Sequence, residues 1–183
     1  MRQLKLLILA LTLVTGCTQI PPVDFMVQDV GPVSNRKDAE LKSITVGFAP
    51  QEQQKTVQAD ASIPPVWKEA LTDAINRSLI FKDDQETKVN LSVRVVEFDV
   101  PEVGITMTTK VGAIYEVIDR SSGALLFSDL IESEGVVPGD YAFVGMVRAV
   151  ESWNRGVRNN IAQFILRLED ADFSKPVFLG QSE

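Results

Sequence analysis

The sequence predicts an α+β domain: a four-stranded, mainly antiparallel sheet with two helices packed on one face, in the order β-α-β-β-β-α. Two observations carry this. Four stretches between residues 43 and 134 alternate apolar and polar side chains with the period of a half-buried strand. Two other stretches repeat apolar residues at spacings of three and four, the stripe of an amphipathic helix.

The elements follow in order. Ile44, Val46 and Phe48 alternate with Thr45 and Gly47, and Pro50 ends this first strand. Residues 51–61 read as polar loop. Pro64-Pro65 opens a helix, where proline is tolerated in the first turn. Val66, Trp67, Ala70, Leu71, Ala74, Ile75 and Leu79 form its apolar stripe, and Lys82-Asp83-Asp84 ends it. The second strand alternates through Val89, Leu91, Val93 and Val95, then restarts one residue out of phase at Val96, Phe98 and Val100. A one-residue phase change inside a strand is the mark of a β-bulge. Pro101–Gly104 makes a turn. The third strand covers 106–119, with Val111, Ala113, Tyr115 and Val117 on one face, and Asp119–Gly123 turns the chain into a fourth strand over 124–134. The last helix is predicted over 140–168, capped by Asp140, with Gly145 and Gly156 as weak points. Because hairpin-linked strands pair antiparallel, the helices cover one face and leave the other partly open. Trp67, Leu71, Ile75, Trp153, Ile161 and Ile165 are expected in the core.

Composition narrows the chemistry. Among 183 residues there is no histidine and one cysteine, which removes histidine-based triads, the usual zinc sites and any intrachain disulfide. A net charge of −7 makes nucleic acid an unfavourable partner. Glu97/Asp99 and Glu132/Glu134 each share a strand face, the spacing of a solvated outer surface as much as of an acid-base pair. The glycines between Gly135 and Gly145 lack the Lys-Ser/Thr of a phosphate loop. Arg148, Arg155, Arg158 and Arg167 read as a solvated helix face. No cofactor, no metal and no catalysis are expected.

The N-terminus states an address. Arg2 and Lys5 precede an apolar run from Leu6 to Val14, which is too short to span a bilayer and has the pattern of a secretion signal. It ends in Leu13-Val14-Thr15-Gly16-Cys17. This resembles the lipobox of bacterial lipoproteins: leucine, two small or apolar residues, glycine or alanine, then cysteine. The resemblance implies cleavage before Cys17, diacylglycerol on its sulfur, and acylation (palmitate) of the new amino terminus. A plain secreted protein with its one cysteine at this position is the alternative. Thr18, where inner-membrane retention signals carry aspartate, resembles outer-membrane sorting in Gram-negative bacteria, so the expected location is the outer membrane, facing the periplasm. Removing Arg2 and Lys5 leaves the mature chain at a net −9, which fits a domain standing off an anionic surface. The expected divisions are a signal at 1–16, a lipidated tether at 17–42, the domain at 43–169 and a loose tail at 170–183. Val23, Phe25, Met26 and Val27 are more apolar than a linker needs, so part of the tether is expected to pack on the domain.

The stretch 89–168, with Ala113-Ile114-Tyr115-Glu116-Val117-Ile118-Asp119, a Ser-Gly turn, Phe127 and a long final helix, resembles small envelope lipoproteins. The YajG-like family and the auxiliary lipoproteins of ABC-type lipid transport are examples. The match is one of layout, and no functional residue transfers. It implies a non-enzymatic interaction module in envelope assembly or transport, with a protein partner; a small lipid- or glycan-binding lipoprotein is the alternative. Two apolar loops are the candidate contact surface: Val100, Val103 and Ile105 after the second strand, and Val136, Val137 and Tyr141, with Phe143 beside them, after the fourth. Strand directions place both loops at one end of the sheet.

Overall fold

The computed structural model describes residues 20–100, 104–175 and 177. Its elements are β1 (Glu40–Phe48), β2 (Thr56–Val57), α1 (Ile63–Ser78), β3 (Lys88–Asp99), β4 (Met107–Asp119), β5 (Leu125–Val137) and α2 (Gly145–Asp170), with one short 3-10 turn at Gln51–Gln53. The sheet order is β1-β3-β4-β5, with β2 pairing onto β3 beyond the end of β1. β1 and β2 run parallel to β3, while β3-β4-β5 is an antiparallel meander. The α+β class stands, with a fifth strand added. β2 is two residues long, too short to carry a period in the sequence.

Both helices pack on the sheet and share one apolar core. Tyr115 stacks on Phe164 with ring centroids 4.2 Å apart, and Phe127 meets the same ring edge-on at 6.0 Å. Trp67, Leu71, Ile75, Ile161 and Ile165 lie in this core as expected. Trp153 is a correction: it is only half-buried at the core margin, edge-on to Phe98 at 6.2 Å. The bulge predicted in β3 is present, since Val95 pairs with Ala113 and Glu97 with Gly112, leaving Val96 unpaired.

Two ends differ from expectation. β5 runs on to Val137, three residues past the predicted 134. The face it turns to α2 there is made small by Ser133 and Gly135. A methyl group on Gly135 would overlap the Ser152 carbonyl oxygen and the Gly156 amide, so helix and strand touch backbone to backbone. Gly156 is therefore a packing glycine: a Cβ there would sit 2.8 Å from Val111 Cγ2. α2 begins at Gly145 rather than 140, and its N-cap is Val144, with no side-chain cap bond. Asp140 stays in the loop, whose Ala142 and Phe143 carbonyls accept from the Arg148 guanidinium rather than from helix amides.

Residues 20–39, read as most of a tether, form a strap seated along the helices. Phe25 and Ala39 are fully buried, and Phe25 meets Trp67 edge-on at 6.4 Å. The apolar residues singled out there do pack. The strap crosses beside Asn154 of α2, where the Asp24 amide donates to Asn154 Oδ1 at 2.9 Å and Asn154 Nδ2 donates to the Pro22 carbonyl at 3.3 Å. It reaches the last turn of α2, where the Ser34 amide donates to Glu169 at 2.8 Å. The chain after α2 is also attached, through the Val177 amide to the Leu125 carbonyl at 2.7 Å.

Candidate functional site

One end of the sheet collects exposed apolar side chains. Pairing of Met107 with Val137 brings the start of β4 against the end of β5. The β3–β4 and β5–α2 loops are therefore neighbours, as strand directions predicted. They touch directly, since a Cβ on Gly139 would lie 2.5 Å from Ile105 Cγ2. Arg148 ties them together by donating to the Gly104 carbonyl at 3.3 Å and the Phe143 carbonyl at 3.1 Å. Gly145 closes the cluster beside Met107.

The expected contact residues separate on this end. Ile105 is 82% exposed and Tyr141 48%, with Val136 at 46% on the face away from the helices. Val137 is a correction: it is fully buried, because strand alternation turns it toward α2 when β5 continues through 137. Val100 packs half-buried against the core. Val103 and Cys17 lie outside the described residues. Phe143, of the same apolar segment as Tyr141, is wholly exposed, and Met146, which was outside the expected set, is 51% exposed. The apolar character of Met146 was visible, but the predicted helix start at 140 assigned it to a buried stripe. Arg155 stacks its guanidinium on Tyr141 at 5.1 Å and donates to the Val136 carbonyl at 2.9 Å.

The arginines of α2 thus differ from the simple solvated face predicted for them. Arg148 and Arg155 hold loop carbonyls, and Arg158 meets Asp24 of the strap at 3.2 Å. The carboxylates are placed as outer-face residues. Glu132 and Glu134 are exposed, and Lys55 bridges Glu132 and Glu97 on the surface of the sheet. The hydrogen bond to Glu132 raises the Lys55 pKa above its ordinary value. Among the described residues no group of three or more histidine, cysteine or carboxylate side chains is arranged to hold a metal.

The space between sheet and helices is filled by the stacked aromatic core and, toward the apolar end, by a buried polar seam. Asn160 accepts from the Tyr115 hydroxyl at 2.9 Å and donates to the Ile131 carbonyl at 2.8 Å and Ser133 Oγ at 3.1 Å. Thr109 and Ser152 hydroxyls meet at 2.7 Å. Burial pushes the Tyr115 hydroxyl pKa far up, so it stays a neutral donor. An apolar groove of about 530 Å³ runs between strap residues 27–34 and the outer side of α2, including Ala162 and Leu166.

No known family model matches the sequence, and no curated protein matches it. Solved structures do match. A Xanthomonas campestris protein of the DUF330 family aligns over 74% of this chain and 88% of its own, with 9% identity and a TM-score of 0.53. A proposed lipoprotein from Caulobacter crescentus CB15 aligns over 72% of this chain and 88% of its own, at 12% identity and a TM-score of 0.45. The PelC dodecamer subunit from Paraburkholderia phytofirmans aligns over 72% of this chain and 92% of its own, at 22% identity and a TM-score of 0.37. The first of these shows a shared fold; at such identities the likeness extends to fold alone.

Proposed function

We propose that this protein is a bacterial lipoprotein, anchored through Cys17 to the outer membrane and facing the periplasm, that acts as a non-enzymatic interaction module in envelope assembly or transport. The observation that carries the anchor is the placement of the chain's sole cysteine at the fifth position of Leu13-Val14-Thr15-Gly16-Cys17, directly after a basic and apolar leader. A single acyl chain binds a membrane reversibly, whereas the diacylglycerol and amide-linked chain of a lipoprotein hold it stably.

The interaction role is supported by what fills the interior. Stacked Tyr115 and Phe164 and the saturated Asn160 seam occupy the region where a ligand pocket between sheet and helices would lie. The two most exposed large apolar side chains among the described residues, Phe143 and Ile105, lie instead at the end of the sheet, where they are open to a broad contact rather than to an enclosed small molecule.

Fractionation of cells expressing Cys17→Ser tests the anchor. The variant is expected in the soluble fraction or as unprocessed precursor, while the native chain stays with membranes. Mass spectrometry that found a free Cys17 thiol on the mature native protein would refute it. The interaction role is tested by crosslinking the lipidated native chain in its own envelope, which is expected to trap a protein neighbour at a defined mass. Recovery of the anchored chain with no crosslinked protein would refute the interaction role.

A further inference from the structure

We propose that the apolar end of the sheet is seated on the lipid bilayer that holds the Cys17 anchor. The inference rests on the lipid-anchor reading above and adds an orientation to it.

The course of the strap carries the inference. Followed backward, it leaves the last turn of α2 at Ser34, passes Asp24 beside Arg158, and reaches Asn154 at Pro22. It therefore travels toward the N-terminus of α2. From Asn154 to Gly145 the helix rises about 14 Å, at 1.5 Å per residue. The five residues from Pro22 back to Cys17 span at most about 17 Å. The anchored sulfur is thus within reach of the level of Gly145, where Ile105, Tyr141, Phe143 and Met146 project. Ile20, the first described residue of the strap, is itself 56% exposed. A lipid fixed at Cys17 keeps this end near the bilayer rather than the opposite end, where the Asp119–Gly123 turn lies.

The chemistry of the end fits an interface of headgroups and acyl chains. Phe143 and Ile105 are the two most exposed large apolar side chains among the described residues. Tyr141 has an apolar ring and a polar hydroxyl, the type enriched at membrane–water boundaries. On residues 104–106 and 136–148 the ionic side chains are Asp140 and Arg148, and Arg155 lies over Tyr141 beside them, so cations offset the acid at this end of a chain that is acidic as a whole. Arg148 also satisfies three loop carbonyls, which lowers the cost of bringing that backbone near hydrocarbon. The net negative charge then lies elsewhere, and the domain need not stand off the membrane as its overall charge implies.

The test uses the full lipoprotein reconstituted in vesicles of phosphatidylethanolamine and phosphatidylglycerol. Because Cys17 is the sole native cysteine and carries the lipid, Phe143→Cys or Arg120→Cys introduces one free thiol for a nitroxide label. Neither side chain belongs to the core. The label at 143 is expected to be relaxed several-fold more by oxygen, relative to a water-soluble nickel chelate, than the label at 120. Equal access of nickel to both labels, on protein whose mass confirms a lipidated Cys17, overturns the orientation and leaves the anchor intact. An unmodified Cys17 in the same sample overturns the anchor and the orientation with it. Spin–spin broadening at 143 would place a second copy on this end and overturn the bilayer assignment.

Discussion

Asn160 shows how one side chain can fix the spacing of a helix over a sheet. It sits fully buried on α2, and its amide is used on both sides, accepting from Tyr115 and donating to the Ile131 carbonyl. Removing it leaves a buried hydroxyl and a carbonyl unpaired as well as a small cavity. Asn160→Ala is therefore expected to cost about 2–4 kcal/mol, read as a lower denaturant midpoint at unchanged slope. Buried Lys37 has a comparable role, donating at 2.7 Å to the Glu169 and Ala171 carbonyls at the end of α2. Desolvation lowers its pKa from the ordinary lysine value, against the pull of the nearby Glu169 carboxylate. Asp119 acts at the surface. Hydrogen bonds from the Ser121 hydroxyl and the Ser122 amide hold its carboxyl at about 2, below its ordinary 3.8. A depressed acid contributes stability above its unfolded pKa and loses it as pH falls through the folded one. The Asp119 contribution is thus expected to disappear between about pH 4 and pH 2. A titration of its carboxyl carbon by NMR with a midpoint near 4 would contradict this.

At the scale of elements, the strap is part of the fold rather than a leash. Its backbone joins α1 through the Val33 amide to the Ser78 carbonyl at 2.9 Å, and Arg77 donates to the Val27 carbonyl at 2.8 Å. Phe25→Ala is expected to destabilise by about 3–5 kcal/mol, the range for a fully buried aromatic. A melting temperature equal to that of the native chain would mean that the strap is not docked. The two tryptophans provide an internal comparison. Trp67 is fully buried under the strap, while Trp153 sits half-exposed at the core margin. Trp67→Ala should lower the denaturation midpoint clearly more than Trp153→Ala, and the reverse order would contradict the packing of α2. Close approach of α2 to β5 at Gly135 and Gly156 explains why both positions lack side chains.

Across the whole molecule, stability and surface are separable at one residue pair. Val136 and Val137 are consecutive, yet one is exposed and the other fully buried. Phe143→Asp, on a wholly exposed side chain, should leave the thermal unfolding of the domain unchanged. Val137→Asp places an unpaired carboxylate in the interior and should prevent folding or lower the melting temperature sharply. Circular dichroism melts of the two variants check both outcomes. The strap, helices and sheet share one core, so they are expected to unfold together. Hydrogen exchange should then protect the Lys37 amide, bonded to the Ile80 carbonyl, about as strongly as the middle of α1. Fast exchange along residues 25–37 beside a protected α1 would show a separate, weaker unit.

Most of the architecture was legible because period is a local property. Alternation over Val89–Phe98 located a strand and its bulge, and three- and four-residue spacing located both helices. The sole cysteine placed after its apolar leader was likewise a local pattern, and it carries the proposed address of the chain. What escaped depends on contacts between distant segments. The strap has no period of its own, and its structure comes from Trp67 and Asn154, 42 and 130 residues further along the chain. Ala142 and Met146 keep helical spacing, which misplaces the start of α2, while in the folded chain the Ala142 and Phe143 carbonyls are bonded to Arg148 across the loop. The division of Val136 from Val137 follows from the register with β4, which no stretch of residues near them encodes. Alternation and spacing determined which segments are strands and helices; only tertiary packing decided which apolar residues at the end of the sheet face inward and which face outward.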